Sequence, residues 1–158
     1  MKALLNCEEI NIAPLTGSST FREIASRGIK TPYILLHTKP TSYTLGYFAL
    51  ERMIQILESS QASMVYADHY QIVEGNRTNH PVIDYQFGSL RDDFDFGSLR
   101  LIKSSAFMEA ISRMNVDYQF AGFYDFRLKL SQKGELVHIN EYLYTETLSD
   151  NRKDSEKM

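Results

Sequence analysis

The sequence has one cysteine, Cys7, no tryptophan and only four prolines in 158 residues. A lone thiol closes no internal disulfide and builds no thiolate zinc site, so a reducing compartment is expected, with the cytoplasm as default. Long apolar runs are missing as well. Stretches such as Ile34-Leu35-Leu36 are too short to cross a bilayer, and the amino terminus lacks the apolar stretch of a secretion signal. Positive charge is not in excess either: 17 Lys and Arg stand against 20 Asp and Glu, a net charge of -3. General nucleic-acid binding needs clustered phosphate-neutralising side chains, so no nucleic-acid partner is expected. Nucleophile elbow, phosphate loop, dinucleotide fingerprint and zinc spacing are also absent. What the chain does have is 43% hydrophobic residues, enough for the core of one domain, and ten Tyr and nine Phe, many of them between Tyr85 and Tyr124.

Periodicity predicts the order of elements. Glu9–Ala13 reads as a short strand closed by Pro14. A helix follows, capped by Ser19 or Thr20, with Phe21, Ile24 and Ala25 at helical spacing before Gly28. Tyr33–His37 is a nearly continuous apolar run between Pro32 and Pro40, the pattern of a buried strand. Leu45, Ala49, Met53, Ile56 and Leu57 form one stripe, which predicts a helix over 45–58. Met64–Asp68 is the next buried strand; Tyr70–Val73 extends it towards a turn at Glu74-Gly75-Asn76 and a return strand near His80–Ile83, a hairpin at a sheet edge. Strand, helix, strand predicts a parallel crossover. Further on come a strand at Leu99–Ile102, a helix over 106–114 capped by Ser104 or Ser105, a helix over 124–132, and short strands at Leu136–Ile139 and Tyr142–Tyr144. Phe87-Gly88-Ser89-Leu90-Arg91 is echoed by Phe96-Gly97-Ser98-Leu99-Arg100. Residues 1–146 are expected to form a single domain and 147–158 a polar tail or linker.

Two constellations could carry chemistry. Asp68 and His69 stand at the carboxyl end of a predicted parallel strand, where open α/β sheets bind ligands. Asp68 there suits a metal, a ribose or a sugar hydroxyl, or simply a turn. The second is Arg91-Asp92-Asp93-Phe94-Asp95-Phe96-Gly97, three carboxylates interleaved with aromatics. On an extended backbone Asp93 and Asp95 share one face, oxygen ligands for a hard cation or a sugar, with Arg91 as a counter-charge. The other reading is a solvated acidic loop pinned by its phenylalanines. Weaker candidates are Lys39, which ends the His37-Thr38-Lys39 strand exit and suits a phosphate, and Tyr124-Asp125, which opens a helix where Asp also answers the dipole. His80 and His138 have no metal-ligand spacing and read as ordinary hairpin or surface histidines.

Thr31-Pro32-Tyr33-Ile34-Leu35-Leu36, the helix through Leu50-Glu51, Met64-Val65-Tyr66-Ala67-Asp68, Tyr124–Gly134 and Ile139–Tyr144 together resemble the family 2 glycosyltransferases of the GT-A fold. The whole stretch Met64–Tyr144, including Asp84–Ser98, is similar to the amino-terminal domain of Bacteroides-type glycosyltransferases that carry a second transferase domain downstream. The resemblance implies an α/β fold with a mostly parallel Rossmann-like sheet, helices on both faces and an added β-hairpin, lacking the family's first strand because the chain starts late. It implies transfer of a sugar from a nucleotide-sugar donor to a hydroxyl of a glycan acceptor, with Mn²⁺ or Mg²⁺ as the metal. The family's Asp-x-Asp position reads His37-Thr38-Lys39-Pro40 here, and its base position reads Gly122-Phe123. In an active transferase other residues then replace the missing acids: the catalytic carboxylates expected are Asp93, Asp95 and Asp125, the substrate is held by Lys39, Asp68, His69, Arg91, Asp92 and Tyr124, and Asp68 also takes the metal. The partners are the donor, the acceptor, and a second copy of the chain or a downstream transferase domain. The alternatives are a catalytically degenerate module that binds carbohydrate or a partner domain, and an unrelated α/β domain.

Overall fold

The computed structural model describes residues 8–9, 17–39, 41–85, 95–115 and 121–148. Helix α1 (Ser18–Ser26) turns Phe21 and Ile24 inward, and β1 (Tyr33–His37) follows Pro32. β2 (Ser42–Leu45) leads into α2 (Ala49–Ser59), whose Met53 and Leu57 are fully buried. β3 (Met64–Val73) reverses through Glu74 and Gly75, both at positive φ (51° and 81°), into β4 (Asn76–His80). Two left-handed residues in a two-residue turn match the twist of the strands they join. After β5 (Leu99–Lys103) come α3 (Ser104–Ser112), α4 (Gly122–Ser131) and the twelve-residue β6 (Leu136–Thr147). Among the described residues no helix is long and apolar enough to cross a membrane.

The strand order is β1-β5-β3-β6-β2, with β4 beside β3, in a mixed, strongly curled half-barrel. The expectation of a mostly parallel Rossmann-like sheet is therefore corrected: among the described residues β3·β6 is the one parallel pair, and β1·β5, β3·β5, β3·β4 and β2·β6 are antiparallel. The reason lies in the connections. A parallel neighbour needs a long crossover, and β3 to β4 has a two-residue turn. β1 and β3 do run the same way around α2, but β5 lies between them and pairs antiparallel with both. The helix expected from Leu45 starts four residues later, because Leu45 pairs with Tyr144, Gly46 N–H donates to Leu143 O, and Phe48 takes φ 57°. The two late strands expected at 136–139 and 142–144 are one strand broken by bulges: Ala67 pairs with Ile139, Asp68 with Tyr142 and His69 with Tyr144. Extra residues on one strand bend and twist it, which accounts for much of the curl.

Two apolar cores result. On one face Met53 and Leu57 of α2 cover Val65, Ala67, Leu101 and Ile139. On the other, α1, α3 and α4 bury Phe21, Phe107 and Phe126 against Met64, Tyr66 and Ile102. Phe21 and Phe126 stack at 4.6 Å, and Phe107 meets Phe126 edge-on at 5.1 Å.

Candidate functional site

Alternation along β3 sends His69 to the α2 face and Asp68 to the other. The hairpin register sets His80 directly opposite His69, and β6 brings Tyr144 to its other side. The His69 ring is consequently flanked by His80 (4.7 Å) and by Tyr144, which is parallel to it at 4.7 Å. His69 and Glu146 are both fully buried, with Nε2 3.3 Å from Oε2. The Thr41 hydroxyl donates to Glu146 Oε1 at 2.7 Å and lies 3.3 Å from His37 Nε2, and Tyr43 closes on the His37 ring edge-on. Burial pushes the His69 imidazole below its ordinary value; His80 adds to the effect and Glu146 opposes it. Burial also lowers His37, against the pull of Glu146.

The rim of this buried group is open to solvent. His80 Nε2 lies 2.8 Å from Asp95 Oδ2, with side chains 34% and 45% exposed, and Asp95 Oδ1 accepts from the Gly97 N–H at 2.8 Å. Burial raises the Asp95 carboxyl, but the bonds from His80 and Gly97 outweigh it and hold it below its ordinary value; Lys39 acts in the same direction. Lys39 is exposed, and its charge also bears on His37 and His69. Gly97 sits at φ 75°, and the next two amides, Ser98 and Leu99, donate to the Tyr144 hydroxyl at 3.0 and 3.4 Å. Behind the rim Arg100 and Arg127 lie over Phe96 at 5.1 and 5.5 Å. Burial, reinforced by the Arg127 charge, brings the Arg100 guanidinium down to about 9.

No family model and no curated protein matches this chain. The site therefore has to be read from its own chemistry. Three residues expected from sequence gather near the carboxyl end of β1: Lys39 follows that strand, Asp95 precedes β5, and His69 lies midway along β3, which runs on to Val73 and does not end at Asp68 as expected. Asp68 stands apart on the opposite face: its Oδ1 accepts from Val82 N–H at 2.9 Å and lies 2.7 Å from His138 Nε2, whose Nδ1 is 2.6 Å from Asp84. Tyr66 stacks on His138 and donates to Ile83 O, so this second group straps residues 82–84 onto the sheet. Asp125, in the first turn of α4, pairs with Lys129 at 3.1 Å, and Tyr124 packs under Arg127. Arg91, Asp92 and Asp93 lie outside the described residues, as do residues 10–13 of the strand expected at Glu9–Ala13.

Asp68 Oδ1 is engaged by Val82 N–H and faces His138 Nε2, and the other nitrogen of that ring faces Asp84. Among the described residues no group of three or more His, Cys, Asp or Glu side chains could hold a metal ion. Glu146, Thr41 and Tyr144 carry no signal as site residues in the sequence, and His80 reads there as an ordinary hairpin or surface histidine. One signal could have found His80: a two-residue turn at Glu74-Gly75 fixes the hairpin register, and counting back along it places His80 opposite His69.

Proposed function

We propose that this chain is a transferase-like domain that moves a sugar from a nucleotide-sugar donor to a hydroxyl of a glycan acceptor. The observation that carries the reading is the convergence of Lys39, His69, His80 and Asp95 beyond the carboxyl end of β1 and beside the middle of β3, an exposed cation beside a solvent-facing carboxylate and imidazole. Such a transfer forms a bond from the acceptor oxygen to the anomeric carbon and breaks the bond from that carbon to the diphosphate. The electron pair leaves with the diphosphate, and the hydroxyl proton must be taken up. Lys39 supplies positive charge for the leaving group, and the acceptor hydroxyl is placed at the His80–Asp95 rim. The cytoplasm, where activated sugars are made, is the proposed compartment. A second copy of the chain or a downstream transferase domain is the proposed protein partner. Mn²⁺ or Mg²⁺ enters through the resemblance alone, and no step is routed through it.

A non-catalytic, carbohydrate-binding module is the second reading. It is favoured by the engagement of Asp68 with His138 and of Asp125 with Lys129, and by the exposure of Tyr47 and Phe48 (91% and 62%), aromatic faces suited to sugar rings. Calorimetric titration with UDP-glucose, UDP-N-acetylglucosamine and GDP-mannose, with and without Mn²⁺, separates the two when combined with an assay for released nucleoside diphosphate. Donor binding with release supports transfer. Heat from oligosaccharides but from no donor establishes the second reading, and no heat from either overturns both.

A further inference from the structure

We propose that His80, oriented by Asp95, is the general base that takes the proton from the acceptor hydroxyl, an inference that rests on the transfer reading above. All four histidines of the chain lie among the described residues, and their surroundings differ. His69 is fully buried between two rings. His138 is 4% exposed, with a carboxylate oxygen near each ring nitrogen. His37 is engaged by Thr41 and covered edge-on by Tyr43. His80 alone combines a side chain one-third exposed with a carboxylate at one nitrogen. A carboxylate at Nε2 fixes the tautomer with the proton there and leaves the Nδ1 lone pair as the acceptor.

Asp95 suits the orienting role better than the role of base. One of its oxygens is held by Gly97 N–H at 2.8 Å and the other faces His80, so it has little basicity left for a substrate. Gly97 is itself locked in the left-handed region, and the two amides after it are tied to Tyr144, so the carboxylate is anchored to the buried group by backbone. His69, stacked on Tyr144, forms the wall against which the His80 ring rests. As the acceptor oxygen bonds to the anomeric carbon, its proton passes to His80 Nδ1. The imidazolium is stabilised by Asp95, the diphosphate departs with the electron pair beside Lys39, and the proton is then lost to water. Among the described residues, the charged and titratable groups around His80 are Asp95 before β5 and His69 on β3, with Glu146 on β6 acting through His69 and Lys39 after β1 acting on both His69 and Asp95.

The experiment uses the whole chain, with methyl β-glucopyranoside as acceptor and UDP-glucose, UDP-N-acetylglucosamine and GDP-mannose as donors. Nucleoside diphosphate release is followed from pH 5 to 9, alongside calorimetric donor affinity. His80→Gln is expected to lower kcat by about 100-fold or more, remove the acid limb of the pH profile and leave donor affinity unchanged. Asp95→Asn is expected to lower kcat by about 10-fold or more with the acceptor KM and donor affinity unchanged, and Asp95→Glu to recover part of it; a purely structural role for Asp95 lowers stability and affinity together instead. A folded His80→Gln protein that binds donor and turns over with the wild-type pH profile overturns the base assignment and leaves the transfer reading standing. If His80→Gln fails to fold, a folded Asp95→Asn protein with wild-type kcat overturns the assignment instead. Absence of donor binding by the wild-type chain overturns the transfer reading, and the base with it.

Discussion

Replacing Gly97 with alanine is a direct test of how the rim is anchored. Gly97 has φ 75°, and a Cβ there would lie 2.5 Å from the Tyr144 hydroxyl and 3.4 Å from His69 Nδ1. Holding an L-residue in the left-handed region costs about 1–2 kcal/mol. The clash falls on a ring that is 1% exposed and cannot swing into solvent, so the tyrosine must give up its bonds from Ser98 and Leu99 N–H. Unpairing buried donors of this kind adds about 1–3 kcal/mol. The sum, about 2–5 kcal/mol, is a large fraction of the stability of a domain this size and corresponds to a Tm lower by roughly 5–15 °C. Urea denaturation of Gly97→Ala measures it. The combination with Tyr144→Phe, which removes the clashing oxygen, separates the two contributions: the double variant is expected to be less destabilised than the sum of the singles. A Gly97→Ala protein within about 0.5 kcal/mol of wild type, or strict additivity with Tyr144→Phe, refutes the account of this turn.

Two further outcomes follow from the buried histidines. His138→Ala leaves the buried Asp68 carboxylate with its Val82 donor but without the imidazole, an expected loss of about 1–3 kcal/mol in urea denaturation, whereas Asp84→Asn, on a side chain 73% exposed, is expected to change stability by less than about 1 kcal/mol. Equal losses from both variants contradict the strap. His37 and His69 are held below their ordinary value of 6.5 in the folded chain, so the unfolded chain binds more protons as the pH drops. Stability is expected to be full above about pH 6.5 and to fall as the pH descends below it, with Asp95 adding its own loss only below its ordinary value of 3.8. Chemical denaturation at stepped pH checks this, and His69→Gln is expected to flatten the slope between pH 7 and 5; an unchanged slope removes His69 from the explanation.

Local pattern was a good guide to elements and a poor one to pairing. The hairpin at Glu74-Gly75, the apolar runs of β1, β3 and β5 and the stripe of α2 all carry signals within a few residues of themselves, because turn chemistry and amphipathic periodicity are local properties. The start of α2 was misplaced because Leu45 fits the helical stripe and the β2·β6 ladder equally well, and only its pairing with Tyr144 and the bond Gly46 N–H donates to Leu143 O, about a hundred residues away, decide between them. Among the site residues, Lys39, His69 and Asp95 were readable as polar side chains at strand exits, whereas Glu146 and Tyr144 lie in a strand whose bulges set their facing and carry no local signal.

By itself the sequence determined a chain without disulfides or apolar spans, the approximate places of its strands and helices, and a set of carboxylates and imidazoles at their ends. Tertiary structure decided which of those side chains meet. Asp68 and His69 are neighbours in the chain, but the pleat of β3 parts them, sending one to the His138 strap and the other to the buried Glu146 group. His80, unremarkable in the sequence, is brought against His69 and Asp95 by hairpin register and by the run into β5. The physical reason is that a strand's period of two is written locally, whereas the partner strand, the direction of pairing and the placing of a bulge depend on what the rest of the chain must bury.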